Sequence, residues 1–91
     1  MDRQEIVQQV IQVLKEVQSR SGHEPVEIGE DICPLKDLPG FDSLTSVEAT
    51  VELARRLENH IPDENIFVSD DGRRRLPVRE IADRVYNIIT R

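Results

Sequence analysis

The 91-residue chain has few of the residues that specialised sites require. It contains one cysteine, Cys33, and two histidines, His23 and His60. A single cysteine cannot form an internal disulfide, and these few dispersed residues cannot build a zinc site. Aromatic residues make up only 3% of the chain, so a platform for stacking nucleic-acid bases is not expected.

Long apolar runs and an excess of positive charge are also missing. No stretch approaches the roughly 20 apolar residues of a membrane-spanning helix. Acidic residues outnumber basic ones by 18 to 12, and the resulting net charge of −6 argues against binding a phosphate backbone. We therefore expect a cytoplasmic monomer with no membrane or nucleic-acid partner. The length allows one domain with one core, over residues 1–91.

Apolar residues recur at helical spacings in three segments. The first helix is expected from Asp2, which is suited to capping, to about residue 19. The second begins at Asp42 or Ser43 and ends near Glu58, and the last begins with Pro77, which suits the first position of a helix. Along one face of the second helix, apolar residues step by three and four positions: Leu44, Val47, Val51, Ala54 and Leu57.

The segments between these helices show no such period. Residues 23–41 contain several prolines and glycines and form a long connection, with a helical turn expected near Pro34. Residues 66–68 favour a short third helix or a turn. The alternation typical of strands does not occur. The sequence therefore predicts an all-α fold, a small four-helix bundle with three longer helices and one short third helix.

The most informative feature is a serine at the start of the second helix. Ser43 follows a turn containing Gly40, which leaves its hydroxyl exposed, and Asp42 is placed to cap the helix. The first-turn N–H groups and the positive end of the helix dipole favour a phosphate at this position. Asp42 would partly repel a free anion, whereas a covalently attached phosphodiester is held by its own bond. By spacing alone, a plain helix cap is an equally good interpretation.

Catalysis by this serine alone is not supported. A nucleophilic serine needs an adjacent base. Asp42 cannot usefully reach its own neighbour, and His23 and His60 are each about 20 residues away along the chain. The stretch is not a G-x-S-x-G elbow either. We expect no catalytic residue and no metal site, and hence a protein that is not an enzyme.

The order of these features resembles that of the acyl carrier protein family. Gly40-Phe41-Asp42-Ser43-Leu44 opens the second helix of a short acidic chain, and Ile61-Pro62-Asp63-Glu64 precedes the expected short third helix. The resemblance covers nearly the whole chain, although Asp-Ser-Leu alone is a weak signal. The segment before the serine, which includes Pro39, is one residue longer than in many members. The run from Phe41 onward looks closer to carriers of polyketide and other specialised pathways than to housekeeping fatty-acid carriers.

The resemblance implies that Ser43 carries 4′-phosphopantetheine, a covalent cofactor taken from coenzyme A. A separate phosphopantetheinyl transferase would attach it, and acyl intermediates would be held as thioesters on its terminal thiol. The protein would present them to acyl-transferring, ligating or condensing enzymes of a fatty-acid, polyketide or other specialised biosynthetic pathway. The alternative is a carrier-like helical subunit that lacks the modification and serves in protein–protein interaction.

The resemblance further implies that the second helix docks partner enzymes. The expected docking residues are Asp42, Leu44, Val47, Glu48, Glu52, Arg55 and Arg56. The two glutamates keep part of the acidic surface of fatty-acid carriers, whereas the two arginines reverse the charge one turn later. Since charges at the rim of an interface steer encounter and partner choice, enzymes of ordinary fatty-acid synthesis are expected to dock poorly.

Overall fold

The computed structural model describes residues 2–22, 27–61, 65–69 and 71–90. It contains four α-helices, α1 (Arg3–Arg20), α2 (Pro34–Asp37), α3 (Ser43–Leu57) and α4 (Val78–Ile89). The described residues form no strand, only an isolated β-bridge between Val68 and Arg75. The all-α bundle with three longer helices and one short helix is thus confirmed. None of the described helices combines the length and apolar character needed to cross a membrane.

The first helix begins and ends where its sequence predicts. The side chain of Asp2 accepts a hydrogen bond of 2.8 Å from the backbone N–H of Glu5, which is an N-terminal cap. At the other end, the backbone N–H of Ser21 donates to the carbonyl of Val17, and Gly22 follows with a φ of 79°. Positive φ is a conformation that glycine adopts without steric cost, and it lets the chain leave the helix axis.

The core is built around α1, which packs against both α3 and α4. The apolar period of the sequence predicts one buried face in each of these two packing helices of the core, α1 and α4. In α1 the face consists of Ile6, Val7, Val10, Ile11, Leu14 and Val17, and all six are buried. In α4 it consists of Val78, Ile81, Ala82, Val85, Ile88 and Ile89, and all but the half-buried Ile89 are buried. Packing of these stripes against one another removes from water the apolar surface that stabilises the domain.

The third helix turns a different face to the core than its apolar period indicates. Its buried residues are Ser46, Ala49, Leu53 and Leu57, whereas Leu44, Val47 and Val51 lie in solvent. The buried face begins with two small residues, Ser46 and Ala49. Because the side chains at the contact set how closely two helices approach, small residues suit a face that packs closely. Small side chains also weaken the apolar signal of that face, so the apolar period, which shares only Leu57 with it, does not identify it.

The long connection before α3 also supports the start of α4. Pro77 precedes α4 as its N-cap residue, one position earlier than the first-turn position expected, and its side chain supplies no capping hydrogen bond. The backbone N–H of Val78 instead donates to the carbonyl of Ile32 at 2.9 Å, and that of Arg79 donates to Glu30 at 3.0 Å. The connection therefore satisfies two backbone N–H groups that the helix cannot satisfy itself.

The short helix is the second along the chain rather than the third. It lies at α2, where a helical turn was expected, whereas residues 65–69 form turns and one half of the β-bridge. In this segment the side chain of Asn65 accepts a hydrogen bond from the backbone N–H of Phe67. The backbone carbonyl of Phe67 accepts a hydrogen bond from the backbone N–H of Leu76. Neither bond has the spacing of a helical hydrogen bond. The motif residues 62–64, and His23, lie outside the described residues.

The end of α3 offers a test of backbone strain. Glu58 caps α3 with φ 52° and ψ 43°, a left-handed conformation that costs an L-residue about 1–2 kcal/mol. We expect Glu58→Gly to raise the free energy of unfolding by about 1 kcal/mol, measured by urea denaturation. Glu58→Gln removes the charge and keeps the backbone strain. If the free energy of unfolding rose as much in Glu58→Gln as in Glu58→Gly, backbone strain would not be the cause. Glu48→Gly, within α3, should lower the free energy instead.

Candidate functional site

A tight turn at residues 38–41 leads the chain into α3. The backbone N–H of Phe41 donates to the carbonyl of Leu38 at 3.3 Å, with Pro39 and Gly40 between them. Gly40 has a φ of 70°. Proline at the second position, a positive φ at the third and this hydrogen bond are the features of a type II β-turn. The extra proline therefore fits the turn and does not displace the serine from the helix start.

Both ends of this turn are anchored in the core. The side chains of Leu38 and Phe41 are buried. The ring of Phe41 packs edge-on against that of Phe67, with a distance of 5.3 Å between ring centroids. This arrangement of two aromatic rings is among the favoured ones. The contact fixes the backbone two residues before Ser43 to the segment that precedes α4.

Asp42 is the N-cap of α3. Its Oδ1 accepts a hydrogen bond of 2.9 Å from the backbone N–H of Thr45 and one of 3.0 Å from the hydroxyl of Thr45. The backbone hydrogen bond, followed by that of the hydroxyl, lowers the pKa of the Asp42 carboxyl below its ordinary 3.8. Asp42 is therefore a carboxylate at neutral pH that is committed to the helix backbone. It is not placed as a base for its neighbour.

Ser43 is the first residue of α3, and its side chain is exposed. Its own carbonyl accepts a hydrogen bond of 2.7 Å from the hydroxyl of the buried Ser46, which ties the first turn together. Among the described residues, no group of three or more His, Cys, Asp or Glu side chains could hold a metal ion. The arrangement offers a hydroxyl on a fixed backbone to a reagent from outside.

An exposed apolar stripe, formed by Leu44, Val47 and Val51, begins next to this serine. Their side chains are 71%, 59% and 65% exposed. Positions separated by three and four residues share one face of a helix, so the stripe runs along α3 for about 10 Å. Arg55 continues the same face one turn beyond Val51. Three large aliphatic side chains in water on one helix face are typical of a surface that another protein covers.

An arginine–glutamate network, formed by Glu16, Arg20, Glu52, Arg55 and Arg56, links α1 to the second half of α3. Arg55 binds Glu52 with two hydrogen bonds, Nε to Oε2 at 3.1 Å and Nη2 to Oε1 at 2.6 Å. Arg56 binds both Glu52 and Glu16, and Arg20 lies within ion-pair distance of the same two glutamates. The hydrogen bond from Arg55 is the main cause that lowers the pKa of Glu52 to about 2.

The network covers Glu52 with guanidinium groups, whereas Glu16 stays partly open to solvent. The side chain of Glu52 is only 14% exposed, whereas Arg20 and Arg55 are exposed. Of the expected docking residues, the structure therefore leaves Asp42, Leu44, Val47, Glu48 and Arg55 open to solvent, and covers much of Glu52 and Arg56. On α3 beyond the stripe, the charged side chain that reaches solvent is therefore Arg55 rather than Glu52.

Sequence reasoning missed three residues that shape this site. Val51 belongs to the exposed stripe, and Thr45 supplies the groups that bind Asp42. Gln18, near the end of α1, is buried, and its Nε2 donates a hydrogen bond to the carbonyl oxygen of Pro39. A sequence signal for Gln18 did exist. It follows Ile11 by seven positions and Leu14 by four, and so continues the buried face of α1.

The cap predicts a pH-dependent stability. Because the pKa of Asp42 is lowered in the folded protein, its stabilisation is complete at neutral pH and is lost as the pH falls from 3.8 through the folded-state value. We expect Asp42→Ala to lower the melting temperature at pH 7 by about 5 °C. Asp42→Asn can still cap the helix and should keep most of the parent's melting temperature at pH 7. Because asparagine does not titrate, this variant should lose less stability than the parent between pH 5 and pH 3. An equal loss in both would contradict this role.

Comparisons of the chain with protein-family models, with curated proteins and with solved structures return no match. The resemblance to the acyl carrier proteins is therefore carried by the residues of this chain alone. Those residues are the serine at the start of α3, its capping aspartate and the glycine-containing turn before them.

Proposed function

We propose that the protein is an acyl carrier protein whose Ser43 receives 4′-phosphopantetheine from coenzyme A. The observation that carries the proposal is the position of Ser43, exposed at the first residue of α3 beside an exposed apolar stripe. A hydroxyl on a fixed turn suits modification by another protein, and the stripe suits the docking of that protein. The proposed setting is the cytoplasm, with a separate phosphopantetheinyl transferase.

The proposed transfer reaction requires no catalytic group on this chain. In the transfer, the Ser43 oxygen forms a bond to the phosphorus next to pantetheine, and the phosphoanhydride bond of coenzyme A breaks. Adenosine 3′,5′-bisphosphate leaves, and the hydroxyl proton passes to a base on the transferase. The chain contributes the position of the hydroxyl and the first-turn N–H groups, which favour a phosphate at a helix N-terminus. The attached arm then supplies the thiol that holds an acyl group as a thioester.

The function of the modified protein would be to present its cargo. An arm fixed at one end holds the acyl group at a high effective concentration near a docked enzyme, without any catalytic group on the carrier. The stripe of Leu44, Val47 and Val51 lies at the root of the arm and would guide each enzyme to it. Acyl-transferring, ligating or condensing enzymes of a polyketide or other specialised pathway are the proposed partners, and fatty-acid enzymes are the less favoured ones.

The charges beside the stripe would select among these partners. Glu48 is exposed near the serine end, and Arg55 is exposed at the far end, about 16 Å from Leu44 along the helix. A partner that complements this face would offer a basic group near the serine and a carboxylate opposite Arg55. Complementary charges of this kind raise the association rate and exclude wrong partners more than they raise affinity.

The second candidate is an unmodified helical interaction subunit. The exposed stripe favours it as well, because a surface of three large aliphatic residues suits a permanent partner without any arm. It predicts a complex that survives Ser43→Ala and forms without coenzyme A.

Intact-mass measurement tests the modification. Incubation with coenzyme A and a broad-specificity phosphopantetheinyl transferase should add one 4′-phosphopantetheine to the parent protein and none to Ser43→Ala. Ser19→Ala, which removes an exposed serine of α1, is the matched control and should still be modified. If the parent gains no mass, or if Ser43→Ala gains the same mass, the carrier function is wrong.

The stripe should affect the reaction without affecting the fold. Leu44 and Val47 are exposed, so Leu44→Ala and Val47→Ala should change the free energy of unfolding by less than about 0.5 kcal/mol. Their kcat/KM with the transferase should fall about tenfold each, because lost interface contacts of this size are worth about 1.4 kcal/mol. Gln12→Ala, exposed on α1, serves as the control. Unchanged rates in both stripe variants would show that the transferase does not dock there.

A further inference from the structure

Gln18 lies in the core near the turn before Ser43, and packing alone does not explain it. It is 3% exposed among the apolar residues of α1. Its Nε2 donates a hydrogen bond of 3.1 Å to the carbonyl oxygen of Pro39. Its Oε1 is buried and accepts no hydrogen bond from the part of the chain that the structure describes. A buried amide oxygen without a partner destabilises a fold, and a methionine of similar length would avoid that cost.

The oxygen that Gln18 binds belongs to the peptide group that defines the turn type. Type I and type II β-turns differ mainly in the orientation of the peptide between their second and third residues, which are Pro39 and Gly40 here. In the type II form the third residue has a positive φ, as Gly40 has at 70°. A donor held in the core that binds the Pro39 oxygen therefore favours the type II form.

The central peptide is the part of the turn that the core does not hold by other means. Leu38 and Phe41, at the two ends, are buried and fixed. The peptide between Pro39 and Gly40 can turn over while these ends stay in place. The turn directly adjoins the helix start, because the carbonyl of the following peptide, that of Gly40, accepts a long hydrogen bond of 3.4 Å from the Thr45 hydroxyl in the first turn of α3.

We infer that Gln18 is a positioning residue for the modification of Ser43: its hydrogen bond holds the Pro39–Gly40 peptide in the orientation that a phosphopantetheinyl transferase recognises. The inference rests on the proposed carrier function. Gln18 acts through the turn and takes no part in bond formation. Its value lies in placing the backbone before the serine, since small misplacements of a reacting group cause large losses of rate.

Gln18→Met separates this role from a structural one. Methionine has a similar length, fills the same space and offers no donor, so the melting temperature should stay the same or rise. The kcat/KM of the transferase for the carrier should fall about tenfold, with the KM for coenzyme A unchanged. The amide NMR signal of Gly40, which belongs to the peptide that Gln18 binds, should shift. Gln12→Met, exposed on the same helix, should leave all these quantities unchanged.

Gln18→Glu adds a pH signature. A carboxylate only accepts hydrogen bonds, whereas a protonated carboxyl can donate one to the Pro39 oxygen. Burial raises the pKa of a carboxyl at this position. The rate of Gln18→Glu relative to the parent, measured at each pH with the same transferase, should therefore rise as the pH falls. The ratio for Gln12→Glu should stay constant.

The outcomes separate this inference from the function on which it rests. If the parent accepts the arm and Gln18→Met accepts it equally fast, the positioning role is wrong and the carrier function stands. A rate loss that only follows a loss of folded protein would likewise assign Gln18 a structural role and overturn the inference. If the parent accepts no arm at all, the carrier function fails, and the positioning role fails with it.

Discussion

The packing of α1 against both α3 and α4 is the constraint on which the rest of the structure depends. In a chain of 91 residues there is room for one core, so a single helix has to serve both neighbours. The end of α1 then organises α3 at two places. Gln18 binds the turn before its first residue, and Glu16 binds Arg56 in its last turn. The position and the rotation of α3 about its axis are thereby fixed from one side.

The rotation of α3 determines what the surface offers. With Ser46, Ala49 and Leu53 turned to the core, the opposite face must carry Leu44, Val47 and Val51 into water. Ser43 lies at the start of this exposed face, and the arginine–glutamate network lies along its far half. The rotation of α3 against the core therefore explains why the Ser43 hydroxyl, the stripe and the guanidinium of Arg55 are all exposed. A different rotation of α3 would bury the stripe and expose the small residues Ser46 and Ala49 instead.

The strongly periodic helices could be predicted from sequence, and the more weakly patterned parts could not. The first and last helices have unbroken apolar stripes, and their buried faces were correctly predicted because only one face of each could be buried. In the second long helix, apolar residues occur on two faces, and period alone cannot choose between them. For residues 66–68 the sequence predicts either a short third helix or a turn, and the structure has the turn, where the Phe67 N–H donates to the nearby side chain of Asn65 and the Phe67 carbonyl accepts from Leu76.

The site was predictable where it depends on local chemistry. The cap formed by Asp42 and the exposure of Ser43 follow from residues within one helical turn, and both are present in the structure. The state of Glu52 depends mainly on Arg55 and Arg56, which lie three and four residues further along the same helix, and only in smaller part on Arg20 of α1. Sequence places Glu52 on an acidic surface, whereas the fold places it under guanidinium groups and lowers its pKa to about 2.

Near the start of α3, the protein combines buried polar groups with exposed large apolar ones, a combination that stability alone would not select. The chain buries an amide at Gln18 and a hydroxyl at Ser46, and it exposes the three large aliphatic side chains of Leu44, Val47 and Val51. In a folded domain, sites where local rules fail together are expected to be functional, because each failure costs stability that selection would otherwise recover. Here the two buried polar groups hold the backbone around Ser43, and the exposed groups surround its hydroxyl. Both departures from the usual pattern lie in or beside the first half of α3, around the serine whose modification is proposed.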